Sequence, residues 1–267
     1  DWSFEIGDGC PNLCGWGNNE LQSYTDSNHR LEDGMLVISA KKETDYTSTR
    51  ILTKGKQEFT YGRIETRVKV PTGAGLWPAF WALGADIDTV SWPDCGEIDI
   101  IEHWGNNQDF VQSAMHNRSS FGGTVNKGGR KINNASTEFH IYTLDWNSNK
   151  MTFSVDGIVH YVYNPEDKNI QNWPYNAPQY LLFNVAILPN IADNFTESAL
   201  EIDYVRVYQE SVASVTKINN LFDVKTFPNP VNDKLNIEFS SDLGEIKGTI
   251  YSLTGQKIQT FVQNSSK

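Results

Sequence analysis

Alternating apolar and polar residues indicate that this chain is built from β-strands. Residues 62–70 alternate in this way, and residues 141–146 and 151–155 flank a short polar turn, which predicts a hairpin. Residues 180–187 are apolar at both parities, which is typical of a strand buried on both faces. No segment sustains a helical period, so the many short strands predict an all-β sandwich or jelly roll.

The pattern changes after Tyr208. Residues 209–220 are polar and aperiodic, as expected of a linker, and residues 234–239 and 248–253 predict further strands. We therefore place a domain boundary near residue 211. The predicted parts are a large β domain over residues 1–210, and a linker with a small β module over residues 211–267.

Composition and charge narrow the range of partners. The net charge of −11 argues against nucleic acid and against an anionic membrane surface, because binding to either needs clustered Lys and Arg. The 8 tryptophans favour a carbohydrate ligand, since indole rings stack on the flat C–H faces of sugars, although packing within sheets also accounts for tryptophan. The chain has no run of about 20 apolar residues, so we expect no membrane insertion.

Two of the 3 cysteines lie close together. Cys10 and Cys14 are either free thiols or a disulfide formed in an oxidising compartment, and so short a separation makes the pairing a question of geometry. Cys95 stands alone, and the cysteine spacing matches no zinc-binding pattern.

The densest group of acids lies in the segment Gly96-Glu-Ile-Asp-Ile-Ile-Glu102. In a strand, Glu97 and Asp99 project from one face and the first isoleucines from the other. A regular strand would turn Glu102 to the apolar face, where an unpaired carboxylate is costly. A β-bulge at the Ile100-Ile101 pair removes this conflict, because one extra residue resets the alternation and returns Glu102 to the face of the other two acids.

Three acids on one face suit the hydrolysis of a glycosidic bond. Like charges at short range raise at least one pKa. A retaining glycosidase needs one ionised carboxylate to attack the anomeric carbon and one protonated carboxyl to release the leaving group, roughly 5–5.5 Å apart. Alternate residues of a strand lie about 6–7 Å apart at the backbone, a gap that side chains can close. The alternative interpretation is a cation site or a solvated acidic face.

The sequence resembles glycoside hydrolase family 16, in its laminarinase-like (endo-β-1,3-glucanase) branch. The resemblance covers residues 1–209 and rests on the acidic segment and on Gly15-Trp-Gly-Asn-Asn-Glu-Leu-Gln22, Tyr61-Gly-Arg-Ile-Glu65 and Gly75-Leu-Trp-Pro-Ala-Phe-Trp-Ala-Leu-Gly84. The extra residue in Glu-x-Asp-x-x-Glu separates laminarinase-like members from lichenases. The family implies a concanavalin-like β-jelly-roll sandwich of two antiparallel sheets with a concave substrate cleft.

This resemblance implies an endo-acting, retaining β-1,3-glucanase that works by double displacement. Glu97 would be the nucleophile, Glu102 the general acid/base, and Asp99 would tune Glu97 through a hydrogen bond. The residues that the family implies for binding the sugar chain are Asn18, Arg50, Trp77, Trp81, Trp92, His116 and Asn184. Core packing is the alternative for the tryptophans, and a structural role is the alternative for the histidine.

The family also implies a structural calcium ion on the convex side, away from catalysis. The matching positions are Glu5 or its neighbour Ile6, the carbonyl of Gly34, and Asp203. These positions offer the oxygen ligands that Ca²⁺ prefers.

The end of the chain resembles the C-terminal sorting domain of type IX secretion. The matching pieces are Phe227-Pro-Asn-Pro-Val231 and Leu253-Thr-Gly-Gln-Lys257. This resemblance implies a secreted or cell-surface protein that engages the type IX secretion machinery. A small accessory module, such as a carbohydrate-binding one, is the alternative.

We expect a monomer that hydrolyses a β-glucan such as laminarin. The alternatives are an enzyme for mixed-linkage β-1,3-1,4-glucan, a galactanase for red-algal polysaccharides, and a non-catalytic glucan-binding protein on the same fold. Binding proteins of this kind typically lack the paired glutamates that are present here.

Overall fold

The chain divides into two compact units, Asp1–Glu210 and Ser211–Lys267. The computed structural model describes residues 1–209, 224–227, 232–239, 244–252 and 257–264. Within these residues, no helix has the length and apolar character needed to cross a membrane.

The first unit consists of strands joined by turns, with short 3₁₀ helices at Cys14–Gly17 and Gly105–Asn107. Its strands in chain order are β1 (Ser3–Glu5), β2 (Ser23–Tyr24), β3 (His29–Glu32), β4 (Met35–Lys42), β5 (Tyr46–Ser48), β6 (Arg50–Leu52), β7 (Glu58–Phe59), β8 (Gly62–Lys69), β9 (Leu76–Gly84), β10 (Glu97–His103), β11 (Phe110–His116), β12 (Lys127–Lys131), β13 (His140–Trp146), β14 (Met151–Val155), β15 (Ile158–Tyr163), β16 (Gln179–Ile187) and β17 (Glu197–Tyr208).

These strands form two sheets. The first sheet has the order β1-β6-β16-β9-β10-β11-β12, with β7 beside β16. The second has the order β15-β14-β13-β8-β17-β4-β5-β2, with β3 beside β4. Apart from the parallel β2–β5 pair, the ladders of both sheets are antiparallel. Strands that are neighbours in a sheet are therefore often far apart in sequence, as expected of a jelly roll.

The two sheets enclose one apolar core. Phe80 and Phe183 of the first sheet stack with ring centroids 4.2 Å apart, and both belong to the same buried cluster as Leu144 and Phe153 of the second sheet. Inner-face residues that interdigitate in this way hold a β-sandwich together. The predicted all-β sandwich of two sheets is confirmed.

Several sequence predictions match individual strands. The apolar segment predicted as a doubly buried strand is β16, in which every residue is buried. The predicted hairpin is the antiparallel pair β13–β14, in which Trp146 lies opposite Met151. Cys10 and Cys14 form a disulfide and Cys95 is a buried free thiol, which decides between the two possibilities that the sequence left open.

The second unit contains two antiparallel pairs among its described residues. They are β18 (Val224–Phe227) with β19 (Asn236–Phe239), and β20 (Glu245–Tyr251) with β21 (Lys257–Asn264). The predicted strands at 234–239 and 248–253 correspond to β19 and β20. Most of the predicted linker at 209–220, and the Pro-Asn-Pro and Leu-Thr-Gly-Gln pieces at 228–230 and 253–256, lie outside the described residues.

Replacing Phe183 by alanine should strongly destabilise the first unit. Its ring is 1% exposed and stacks on Phe80, so truncation leaves a cavity and removes apolar burial. We expect the free energy of unfolding to fall by about 3–5 kcal/mol in urea titrations. Leu31→Ala is the control, because Leu31 is 79% exposed and should change stability by less than about 0.5 kcal/mol. Equal effects of the two substitutions would contradict this description of the core.

Candidate active site

Strand β10 carries a β-bulge at the position that the sequence predicts. Against β9, Asp99 lies opposite Trp81 and Ile101 lies opposite Phe80, so Ile100 is the extra residue. The ladder between β10 and β11 shifts at the same place. Glu102 thereby regains the face of Glu97 and Asp99, and the predicted bulge is confirmed.

Hydrogen bonds from both neighbouring strands hold Glu102. Trp77 Nε1 on β9 donates to Glu102 Oε1 at 3.2 Å, and Gln112 Nε2 on β11 donates to Glu102 Oε2 at 3.2 Å. Each carboxyl oxygen thus has one fixed donor. The pair of donors fixes the carboxyl plane and still leaves each oxygen room for a reaction partner.

Glycine is required immediately before the acidic strand. Gly96 has a φ of +79°, and a Cβ there would lie 2.8 Å from side-chain atoms of both Pro174 and Tyr175. Only glycine adopts this backbone without strain and also fits the space. It therefore fixes the direction in which Glu97 enters the sheet.

The three carboxyls share a buried environment. Burial raises the pKa of Glu97, Asp99 and Glu102 above the ordinary carboxyl range. The charge of Asp99 raises the pKa of Glu97 and of Glu102 further. His116 opposes this shift at both glutamates, and a hydrogen bond from Trp92 also lowers the pKa of Glu97. The site therefore favours a mixed state in which some of the carboxyls are protonated.

His116 faces the acids from the neighbouring strand. It lies opposite Glu97 in the β10–β11 ladder, and its Nε2 lies 3.1 Å from Asp99 Oδ2 and 3.7 Å from Glu97 Oε1. These three side chains are the one group among the described residues that offers possible metal ligands within 4.8 Å of one another. The ring of Trp92 lies 6.2 Å from the His116 ring and is 41% exposed, so it borders the acids and remains accessible.

A hydrogen-bonded chain joins further predicted binding residues, from the first sheet to the segment before β2. Trp81 Nε1 donates to Asn184 Oδ1 at 2.8 Å, and Asn184 Nδ2 donates to the Tyr24 hydroxyl at 3.1 Å. The Tyr24 hydroxyl donates to Glu20 Oε2 at 3.0 Å, and Asn18 Nδ2 donates to Glu20 Oε1 at 3.1 Å. The structure therefore connects three residues that lie far apart in the sequence: Asn18, Trp81 and Asn184.

Arg50 lies at the same end of the first sheet. Its guanidinium carbon is 4.6 Å from the centroid of the Trp16 ring and 4.8 Å from that of Trp81. Its Nε lies 2.8 Å from Glu5 Oε2. The guanidinium is thus held in place by two aromatic rings and one carboxylate.

The predicted calcium positions lie on three different elements. Glu5 lies on β1, an edge strand of the first sheet, whereas Asp203 lies on β17 in the second sheet, where its Oδ2 is 2.6 Å from Arg67 Nη1. Gly34 lies in the turn between β3 and β4. Both carboxylates are already paired with arginines, which compete with a cation. Calcium binding stays a prediction, and no catalytic step depends on it.

Sequence reasoning missed several residues of the site. Gln112 contacts Glu102, the Trp104 ring stacks on Trp77 with centroids 5.8 Å apart, and Glu20 joins Asn18 to Tyr24. A strand-parity argument would have found Gln112, because it lies four residues before His116 and so shares its face.

Comparison with known proteins agrees with this site. Residues 17–206 match the family model described as "Glycosyl hydrolases family 16". The "Beta-glucanase" of Rhodothermus marinus is 36% identical in an alignment of 231 residues that covers 78% of this chain and 79% of that protein. Residues 225–267 match the "Secretion system C-terminal sorting domain", which indicates export and confirms the predicted secreted or cell-surface location.

Solved structures show the same fold. The laminarinase of Flavobacterium sp. UMI-01 is 51% identical, with a TM-score of 0.76, over 78% of this chain and 93% of that chain. The catalytic domain of an endo-1,3-beta-glucanase (laminarinase) from Thermotoga petrophila RKU-1 is 37% identical, with a TM-score of 0.73, over 79% of this chain and 91% of that chain. The carboxylate-bearing strand, the two-sheet fold and the family match together identify the chain as a glycoside hydrolase that belongs to family 16.

Proposed function

We propose that this chain is an endo-acting, retaining β-1,3-glucanase that hydrolyses laminarin-type glucans. The observation that carries the proposal is the bulged strand β10, which gathers Glu97, Asp99 and Glu102 on one face. Proteins described as laminarinases share this fold, one of them at 51% identity. The laminarinase activity for which they are named supports the choice of substrate for this chain.

The first chemical step forms a covalent intermediate. Glu97, as the ionised nucleophile, attacks the anomeric carbon while Glu102 gives its proton to the glycosidic oxygen. The bond between that carbon and oxygen breaks, and the leaving sugar departs as an alcohol. The raised pKa of Glu102 keeps its proton available, and the hydrogen bond from Trp92 favours the charged form of Glu97.

The second step releases the product. Glu102, now ionised, takes a proton from water, and the resulting oxygen attacks the same anomeric carbon from the side that the leaving group occupied. Glu97 leaves as a carboxylate, so both groups regain their starting states. Asp99 and His116 lie beside the two glutamates, with Asp99 Oδ2 3.1 Å from His116 Nε2.

The substrate-binding roles follow from position along the first sheet. Arg50 and Asn184 lie on β6 and β16, on one side of the acids, and His116 lies on β11, on the other side. We assign the residues around Asn184 to the non-reducing side of the glucan and His116 to the leaving-group side. Trp77, Trp81 and Trp92 supply indole faces or N–H groups along this path.

Delivery of the enzyme follows from the matched C-terminal domain. We propose that residues 225–267 engage type IX secretion machinery, which supplies the extracellular location that polysaccharide hydrolysis requires. We also propose that the enzyme acts as a monomer.

A polysaccharide panel tests the substrate and the stereochemistry. We expect the protein to release reducing ends from laminarin more rapidly than from lichenan, agarose or carrageenan. Proton NMR of the fresh products should show the β anomer first, because two displacements restore the original configuration. An α anomer would exclude retention, and hydrolysis of agarose or carrageenan alone would assign the chain to the galactanases.

Azide separates the roles of the two glutamates. Glu102→Ala should lower kcat on laminarin by about 10²–10⁴-fold through loss of acid/base catalysis. With a dinitrophenyl β-laminarioside, azide should restore turnover of this variant and yield a β-glycosyl azide, because azide attacks the intermediate in place of activated water. Glu97→Ala should instead give an α-glycosyl azide by direct attack. Glu32→Ala, on exposed β3, is the matched control and should retain activity. If Glu102→Ala gave the α-glycosyl azide and Glu97→Ala gave the β-glycosyl azide, the two roles would be reversed.

The charge of Asp99 should set the pH range of activity. It raises the pKa of Glu97 and of Glu102. Asp99→Asn should therefore lower both, so that the nucleophile ionises at lower pH and the acid loses its proton at lower pH. The whole bell-shaped profile of kcat/KM should move toward acid. Asp145→Asn makes the same charge change on β13, where Asp145 pairs with Arg63, and should leave the pH profile unchanged. An unchanged profile for Asp99→Asn would contradict the effect of the Asp99 charge on the pKa of the two glutamates.

A further inference from the structure

Ser113 is a polar residue on the apolar face of β11. Val111 and Met115, two positions before and after it, share that face and belong to the core. Ser113 itself has no exposed surface. A buried hydroxyl is costly unless it is hydrogen-bonded, so its partners indicate what it does.

The first partner of Ser113 is the bulge beside the acid/base. In the β10–β11 ladder Asp99 lies opposite Ala114 and Glu102 lies opposite Gln112, so the Ile100-Ile101 pair stands opposite Ser113 alone. A bulge interrupts the ladder and leaves the extra residue without a regular partner. Ser113 Oγ lies 2.8 Å from the Ile100 carbonyl oxygen and donates to it.

The second partner is His160 on the opposite sheet, whose Nε2 lies 2.9 Å from Ser113 Oγ. His160 is itself the extra residue of a bulge, because Val159 pairs with Ser154 and Tyr161 pairs with Phe153. Bulges re-aim side chains, and this one directs an imidazole toward β11.

The direction of the hydrogen bonds follows from the number of protons. The single proton of the Ser113 hydroxyl goes to the Ile100 carbonyl, so His160 Nε2 must carry the proton that Ser113 Oγ accepts. Burial lowers the pKa of His160 to about 4, and the charge of Arg130 acts in the same sense, so the ring is neutral near pH 7. His160 Nδ1 has no hydrogen-bond partner among the described residues, as fits a ring whose one proton is on Nε2.

We propose that Ser113 and His160 are positioning residues for Glu102, and that they stabilise the bulge in β10 through hydrogen bonds on its core side. The chain runs from His160 Nε2–H to Ser113 Oγ, and from Ser113 Oγ–H to the Ile100 carbonyl oxygen. Gln112, the preceding residue of β11, holds the Glu102 carboxyl on the opposite face. One strand thus fixes both the backbone and the side chain of the acid/base.

The proposal predicts a selective defect, and it rests on the proposed role of Glu102. Glu97 lies before the bulge and keeps its own register with His116, so the nucleophile should be unaffected. Proton donation to the leaving group should suffer instead. The defect should therefore depend on how strongly the leaving group needs a proton.

The test compares two substrates with Ser113→Ala. For a laminari-oligosaccharide, kcat/KM should fall about tenfold, which corresponds to about 1.4 kcal/mol. For a dinitrophenyl β-laminarioside, whose leaving group needs no proton, kcat/KM should fall less than about twofold. Ser113→Thr keeps the hydroxyl and should recover most of the loss. Ser48→Ala is the matched control, because Ser48 is equally buried in a strand and its hydroxyl has no hydrogen-bond partner among the described residues.

His160 variants provide a second test, at the residue that contacts the bulge only through Ser113. His160→Gln places an amide N–H where Nε2–H was and should behave like the wild type, whereas His160→Phe should show the substrate-selective loss. Equal losses on both substrates, or no loss on either, would overturn the positioning role. A wild-type protein that leaves the laminari-oligosaccharide intact would instead refute the proposed function.

Discussion

The bulge at Ile100 and Ile101 is the constraint on which the active site depends. A regular strand alternates strictly, so it cannot send Glu97, Asp99 and Glu102 to one face at their spacing in the sequence. The extra residue allows both isoleucines to be buried while Glu102 returns to the acidic face. The neighbouring ladders resume their pairing on both sides of the bulge, so the irregularity stays local and the sheet remains intact.

The same arrangement has an electrostatic cost. The folded-state pKa of all three carboxyls is raised by burial, so the folded protein binds their protons more tightly than the unfolded chain does. The stability that these protons contribute is fully present below the ordinary carboxyl pKa and is lost as the pH rises through the raised values. The proposed catalytic role of these carboxyls accounts for this loss of stability, because a glycosidase needs a carboxyl that stays protonated beside one that does not.

Sequence reasoning succeeded where a local rule decides the structure. Strand parity predicted the bulge, and apolar residues at both parities predicted the buried strand β16, because each depends only on nearby residues. It failed where the partner lies far along the chain. Ser113 and His160 are 47 residues apart and meet across two sheets, and the pairing of Arg50 with Glu5 depends on the neighbouring positions of β1 and β6.

The location of each group also explains how one fold can serve several polysaccharides. The acids lie on β10, between β9 and β11 in the interior of the first sheet, so their geometry is set by ladders and by the core. Trp92 lies before that strand and is 41% exposed, and Asn18 follows the short helix beside the Cys10–Cys14 disulfide. Loops and exposed side chains tolerate substitution, whereas central strands do not. In the proposed function, substrate preference can therefore change at positions outside the strands, such as Trp92 and Asn18, whereas the proposed binding residues on β6, β9, β11 and β16 are held in the sheet with the acids.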